Sequence, residues 1–238
     1  FAHVDCLVEM ASRNKFVTVE GRGPISRWRH CATCHQQFTG ALEIEMARRC
    51  WRYFRDTPSR VDKCHAGKSL AGVLATFGEL DVVERLHDEA GRGVADDNLI
   101  LSMEAERARS LVKLFRPRDA LEILSRVRPR MELRANAHVR IKYNYVMSTT
   151  LAVLGRVEDA LPLTADVVEC ARTDQYGPHS AGTLNAMDFR AVFLQKNGGF
   201  EEAKVMLRHV LAARTRLLGP NHEQTRRTVD ILRRVAAL

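Results

Sequence analysis

The residues best suited to chemistry stand in the first forty positions, as two pairs: His3-Val4-Asp5-Cys6 and Cys31-Ala32-Thr33-Cys34. One reads H-x-x-C and the other C-x-x-C. Thiolate and imidazole are the usual ligands of zinc, and a two-residue gap lets one tight turn aim both side chains at a single ion. His3, Cys6, Cys31 and Cys34 can make one complete site or the halves of two interleaved sites. The loop around Gly21-Arg22-Gly23-Pro24 permits either. The same letters admit a competing chemistry, because Cys31-Ala32-Thr33-Cys34-His35 is C-x-x-C-H, the attachment motif of c-type haem. Haem would need an oxidising compartment and a distal axial ligand, and the chain shows no export signal. Zinc is the expected cofactor.

Other candidates are weaker. Cys64 and His65 are adjacent on a helix, so their side chains diverge by about 100° and a surface pair is expected. Cys50 and Cys170 lie on apolar helix faces and read as core. His179 and His222 follow two matching Gly-Pro turns, one position out of step, which suits a structural role near helix starts. No P-loop, dinucleotide fingerprint, G-x-S-x-G or H-E-x-x-H occurs.

Composition narrows the class. With 45% hydrophobic and 28% charged residues the chain is globular. No apolar run approaches the roughly 18–20 residues of a membrane span. The net charge of +8 comes mostly from Arg scattered among acids on helix faces, and 6% aromatics are too few for a stacking platform, which argues against nucleic acid. Six cysteines in a chain this long, without a disulfide spacing, fit a reducing compartment, cytoplasmic or nuclear. The chain opens on Phe1 rather than Met, which points to a fragment or processed product.

Behind the cysteine pairs, apolar periodicity predicts a helix from Thr39-Gly40 to about Asp56, then helix after helix from Val61, with no strand. Four turns share a template in which a turn residue precedes a small apolar residue by five positions. They are Gly78…Val83, Phe115…Ala120, Gly155…Ala160 and Gly198…Ala203, at intervals of 37, 40 and 43 residues. Gly177-Pro178-His179…Thr183 recurs 42 residues later as Gly219-Pro220-Asn221-His222…Thr225. Small residues let a second helix approach the first, turn glycines supply positive φ, and hairpins that cannot bury their faces alone stack on neighbours.

Two resemblances follow. Leu154-Gly155-Arg156-x-x-x-Ala160-Leu161 resembles tetratricopeptide (TPR) repeats, and Arg216-Leu217-Leu218-Gly219-Pro220-Asn221-His222 with Thr225 resembles their longer form, found in kinesin light chains. This resemblance covers residues 66–238, is best over 140–238, and implies a protein-interaction scaffold. Phe1-Ala2-His3-Val4-Asp5-Cys6-Leu7, and Cys31-Ala32-Thr33-Cys34 with Phe38, resemble the last half of a RING-CH zinc finger, the RING variant of certain ubiquitin ligases. That resemblance implies crossed-over ligands: His3 and Cys6 complete a site begun by an upstream C-x-x-C, and Cys31 and Cys34 a site begun by a C-x-C. It also places Leu7 and Met10 in the surface that grips a ubiquitin-conjugating enzyme, with Met10 where the family often has Trp.

The expectation is thus an all-α chain. A small zinc-finger-like segment over 1–40 precedes an α-solenoid of TPR-like helical hairpins over 41–238. Its expected function is a zinc-binding protein-interaction adaptor, the recruiting part of a RING-CH-type ubiquitin ligase without its own nucleophile. The alternative is a non-enzymatic TPR scaffold whose zinc element is purely structural.

Overall fold

The computed structural model describes residues 4–13, 28–31, 36–175 and 177–236, most of which are helical. α1 (Val4–Arg13) and α2 (Gly40–Phe54) open the chain. Four helix–turn–helix segments follow along the chain: α3 (Arg60–Leu74) and α4 (Leu80–Gly91), α5 (Asp97–Lys113) and α6 (Pro117–Arg134), α7 (Ala137–Val153) and α8 (Val157–Cys170), and α9 (Ala181–Lys196) and α10 (Phe200–Leu218). Of these, α3 packs on α4, α7 on α8 and α9 on α10. α11 (Glu223–Ala236) comes last. The chain divides into two compact units, Phe1–Ala120 and Leu121–Leu238. Among the described residues no strand forms, and no helix is long and apolar enough to cross a membrane.

The two helices of a pair begin differently. Each first helix is capped by a side chain: Ser59 accepts from the Asp62 N–H, Asp96 from Leu99, Asn136 from Val139 and Ser180 from Thr183. Such a cap satisfies an orphan amide and contributes about 1 kcal/mol. The second helices α4, α8 and α10 carry no side-chain cap. They hold acids in the first turn, among them Asp81, Asp159 and Glu202, where the helix dipole favours negative charge.

The turns between paired helices repeat one hydrogen-bond pattern. Arg156 N donates to Leu151 O and Gly155 N to Ala152 O. Gly199 and Gly198 bond Leu194 and Gln195 in the same way, as do Arg116 and Phe115 with Leu111 and Val112. This is the Schellman ending, which needs a left-handed residue. Gly155 (φ +78°) and Gly198 (φ +82°) supply it without strain, whereas Phe115 adopts φ +59° with a side chain that is 94% exposed. The small residues five positions on behave as their spacing predicts: Ala120, Ala160, Ala203 and Val83 are all buried.

In the first unit one apolar cluster runs from Leu7, Ala11, Trp28 and Phe38 through Met46, Trp51 and Phe54 to Leu70 and Leu86. The Trp28 ring lies 5.6 Å from Tyr53 and 6.4 Å from Phe54, and Asp5 pairs with Arg49 at 3.5 Å. The described part of the N-terminal segment is therefore packed on α2. Gly67 marks a close approach of α3 and α4, where an added Cβ would stand 2.5 Å from that of Ala90.

In the second unit the Gly-Pro echo is a structural device. Thr183 Oγ1 donates to Gly177 O at 2.7 Å and Thr225 Oγ1 to Gly219 O at 2.9 Å, both threonines being buried. His222 stands at the position Ser180 holds in the other copy, and its Nδ1 accepts from Gln224 N at 3.2 Å. The offset between His179 and His222 thus has a cause: only His222 takes the capping place.

Candidate functional site

The cysteine pairs are only partly visible. His3, Cys34 and His35 lie outside the described residues. Cys6 is exposed on α1, and Cys31 is half-buried and packed against the first unit's core. Cys31 N donates to Gln36 O at 2.9 Å and Phe38 N to Arg29 O at 2.8 Å, around an antiparallel bridge between His30 and Gln37. The backbone on either side of residues 32–35 is therefore paired, with Cys31 at the edge of the pairing. Leu7 is 9% exposed within the core, and Met10 is 44% exposed. The described residues contain no group of three or more His, Cys, Asp or Glu placed to hold a metal.

Three further cysteines take core positions. Cys50 and Cys170 are buried as their apolar faces predict. Cys64 corrects the expected surface pair with His65: its side chain is fully buried, its thiol donates to Ala90 O at 2.9 Å, and only His65 is exposed. The divergence of adjacent helical residues turned one side chain inward and the other outward.

The second unit holds a cavity of about 560 Å3 that the sequence reading did not foresee. Its walls come from α7, α9 and α11, where side chains at helical spacing present one face to it, and from Arg214 on α10. Tyr145, Phe189 and Phe193 form an aromatic run, with ring centroids 4.2 Å and 4.7 Å apart. A second cavity of about 430 Å3 shares Val192 and Lys196 with the first and reaches Arg234.

A polar knot supports this wall. Arg214, 1% exposed, donates to Asp188, to the Thr228 hydroxyl, to Gln224 O at 3.1 Å and to Asn185 Oδ1 at 2.6 Å. Burial pushes the Asp188 carboxyl above its usual range, while the Arg214 guanidinium acts the other way. Asp188 Oδ1 stays buried without a partner among the described residues. Lys196 and Arg227 line the cavity exposed, and the charge of Arg227 bears on Asp188. Cationic side chains thus stand beside aromatic surface on one cavity wall. The legible signals were Phe189 and Phe193 at i, i+4 and an Asp on an otherwise apolar stretch of α9. Arg214, 26 positions on, gave none.

Comparison with known proteins agrees with this architecture. The tetratricopeptide repeat profile matches residues 183–224. Among solved structures, the nearly identical TPR-like repeats of a Podosopora anserina kinesin-light-chain-type protein match at 18% identity and a TM-score of 0.64, over 76% of this chain and 88% of that one. BtubC (BKLC) from P. vanneervenii matches at 16% identity and a TM-score of 0.65, over 100% of this chain and 84% of that one. No curated protein sequence matches the chain. At such identities the likeness speaks for the fold, a TPR-like α-solenoid of helical hairpins.

Proposed function

We propose that the chain is a protein-interaction scaffold and that the cavity of its second unit holds an extended segment of a partner protein carrying an acidic and an apolar side chain. The observation that carries this reading is the pairing of an aromatic wall, Tyr145 and Phe189, with two exposed cations on the same cavity, Lys196 and Arg227. The buried, unpartnered Asp188 Oδ1 supplies an acceptor suited to a backbone N–H of the guest. A displayed library of unstructured peptides tests it. Selected binders should be enriched in Asp or Glu near an apolar residue, and Lys196→Glu with Arg227→Glu should abolish their binding. Binders indifferent to both charge reversals would remove the reading.

We propose in addition that His3, Cys6, Cys31 and Cys34 bind zinc. The paired backbone flanking 32–35 supports this, since a C-x-x-C needs a tight turn to converge on one ion. Leu7 favours a structural element over one that recruits a ubiquitin-conjugating enzyme, because its side chain is packed in the core rather than offered to a partner. Elemental analysis of protein carrying its natural start should find zinc, and a chelator should lower its melting temperature. Metal-free protein of equal stability would remove the zinc.

A further inference from the structure

A separate cavity of about 320 Å3 lies in the first unit, lined from α4 by His87 and Asp88 and from α5 by Ile100, Met103, Glu104 and Arg107. His87 is 4% exposed, and neither ring nitrogen has a partner among the described residues. Arg107 Nε is also buried and unpartnered, while its Nη1 donates to Asp88 Oδ1 at 3.0 Å. Native interiors seldom leave buried polar groups unsatisfied. Three such atoms among the residues of one cavity wall point to a ligand that covers them.

What the wall leaves without a partner among the described residues is nitrogen: Arg107 Nε–H and the His87 ring. Asp88 is held by Arg107, and Glu104 has an interaction of its own. Arg92 adds an exposed guanidinium at the rim, and Lys68, buried on α3, also bears on His87. We propose that this cavity binds a small organic carboxylate, whose oxygens accept from Arg107 Nε–H and a ring N–H of His87 and whose apolar body lies against Ile100 and Met103. Nothing in this depends on the peptide cavity of the second unit.

The site carries a pH signature. Burial, with Arg107 adding to it, pushes His87 down to about 4, so the ring is neutral at pH 7. The groups facing it are Asp88 on its own helix, Arg107 on α5 and Lys68 on α3, with Arg92 and Glu104 elsewhere on the cavity wall. A carboxylate beside the ring favours its charged form. Binding therefore takes up a proton, and affinity rises as pH falls from neutral toward the free ring's value.

Benzoate, titrated into the full chain and followed by calorimetry and by the His87 ring resonances, tests the proposal. Saturable binding is expected, tighter at pH 5.5 than at pH 7.5 by at most about tenfold per pH unit. Benzamide, the uncharged counterpart, should bind at least about tenfold more weakly. His87→Gln and Arg107→Gln should both lose the site. Arg107 is partly exposed, so Arg107→Gln keeps the test valid if His87→Gln fails to fold. No saturation by about 10 mM, equal binding of benzamide, or undiminished binding by folded Arg107→Gln would each overturn it.

Discussion

In the second unit the turns at Gly155 and Gly198 share a glycine, a glutamate three positions on and an alanine five positions on, and the devices after Gly177 and Gly219 share Gly-Pro and the threonine six positions on. In the first unit the corresponding turns fall on Gly78, behind a 3-10 turn, and on Phe115, which takes the glycine conformation with a full side chain. The backbone requirement is common to both, because each hairpin must end its first helix with a left-handed residue before the second can return. Only at Phe115 does a residue other than glycine meet it. A profile built on letters responds where the letters persist, at 183–224. The units also keep their polar groups differently. The second joins Arg214 and Asp188 in a buried knot, while the first leaves the His87 ring without a hydrogen-bond partner among the described residues.

Breaking the knot should have the largest effect. Arg214→Ala leaves Asp188 buried without its cation and should cost about 3–5 kcal/mol, read from urea unfolding of the full chain. A loss below about 1 kcal/mol would mean that the knot is not held in solution.

His87 gives the first unit an acid limb. Its folded pKa of about 4 lies below the unfolded value, so stability is full above about pH 6.5 and is lost as pH falls toward 4, by about 3 kcal/mol. His87→Leu should flatten that limb in urea midpoints measured against pH. An unchanged slope would place the acid sensitivity elsewhere.

Gly67→Ala should destabilise by about 1–3 kcal/mol through the clash with Ala90, and Gly67→Ala with Ala90→Gly should recover most of the loss. The smallest effect concerns the turns themselves. Phe115→Gly should raise stability by about 1 kcal/mol by relieving the left-handed strain, and Gly155→Ala should lower it by a similar amount. A destabilised Phe115→Gly would show that the exposed ring has a contact of its own.

Much of the fold was legible because its determinants are local. The turn residues, the small residue five positions later and the Gly-Pro-to-Thr spacing each act within one hairpin, and each lies where its spacing predicts. What was not legible depends on residues far apart in sequence. Cys64 reads as a surface neighbour of His65 until α4 brings Ala90 O to its thiol. Arg214 reads as one more surface arginine until α9 and α11 close over it. The aromatic cavity was hidden for the same reason, because Tyr145 and Phe189 meet only when successive hairpins stack.

The account rests most heavily on the face formed by α7, α9 and α11. Methyl and amide NMR of the chain with a peptide selected by display tests it directly. Perturbations should cluster at Tyr145, Phe189, Val192, Lys196 and Arg227. Perturbations confined to α8 and α10, with those five residues unmoved, would contradict it.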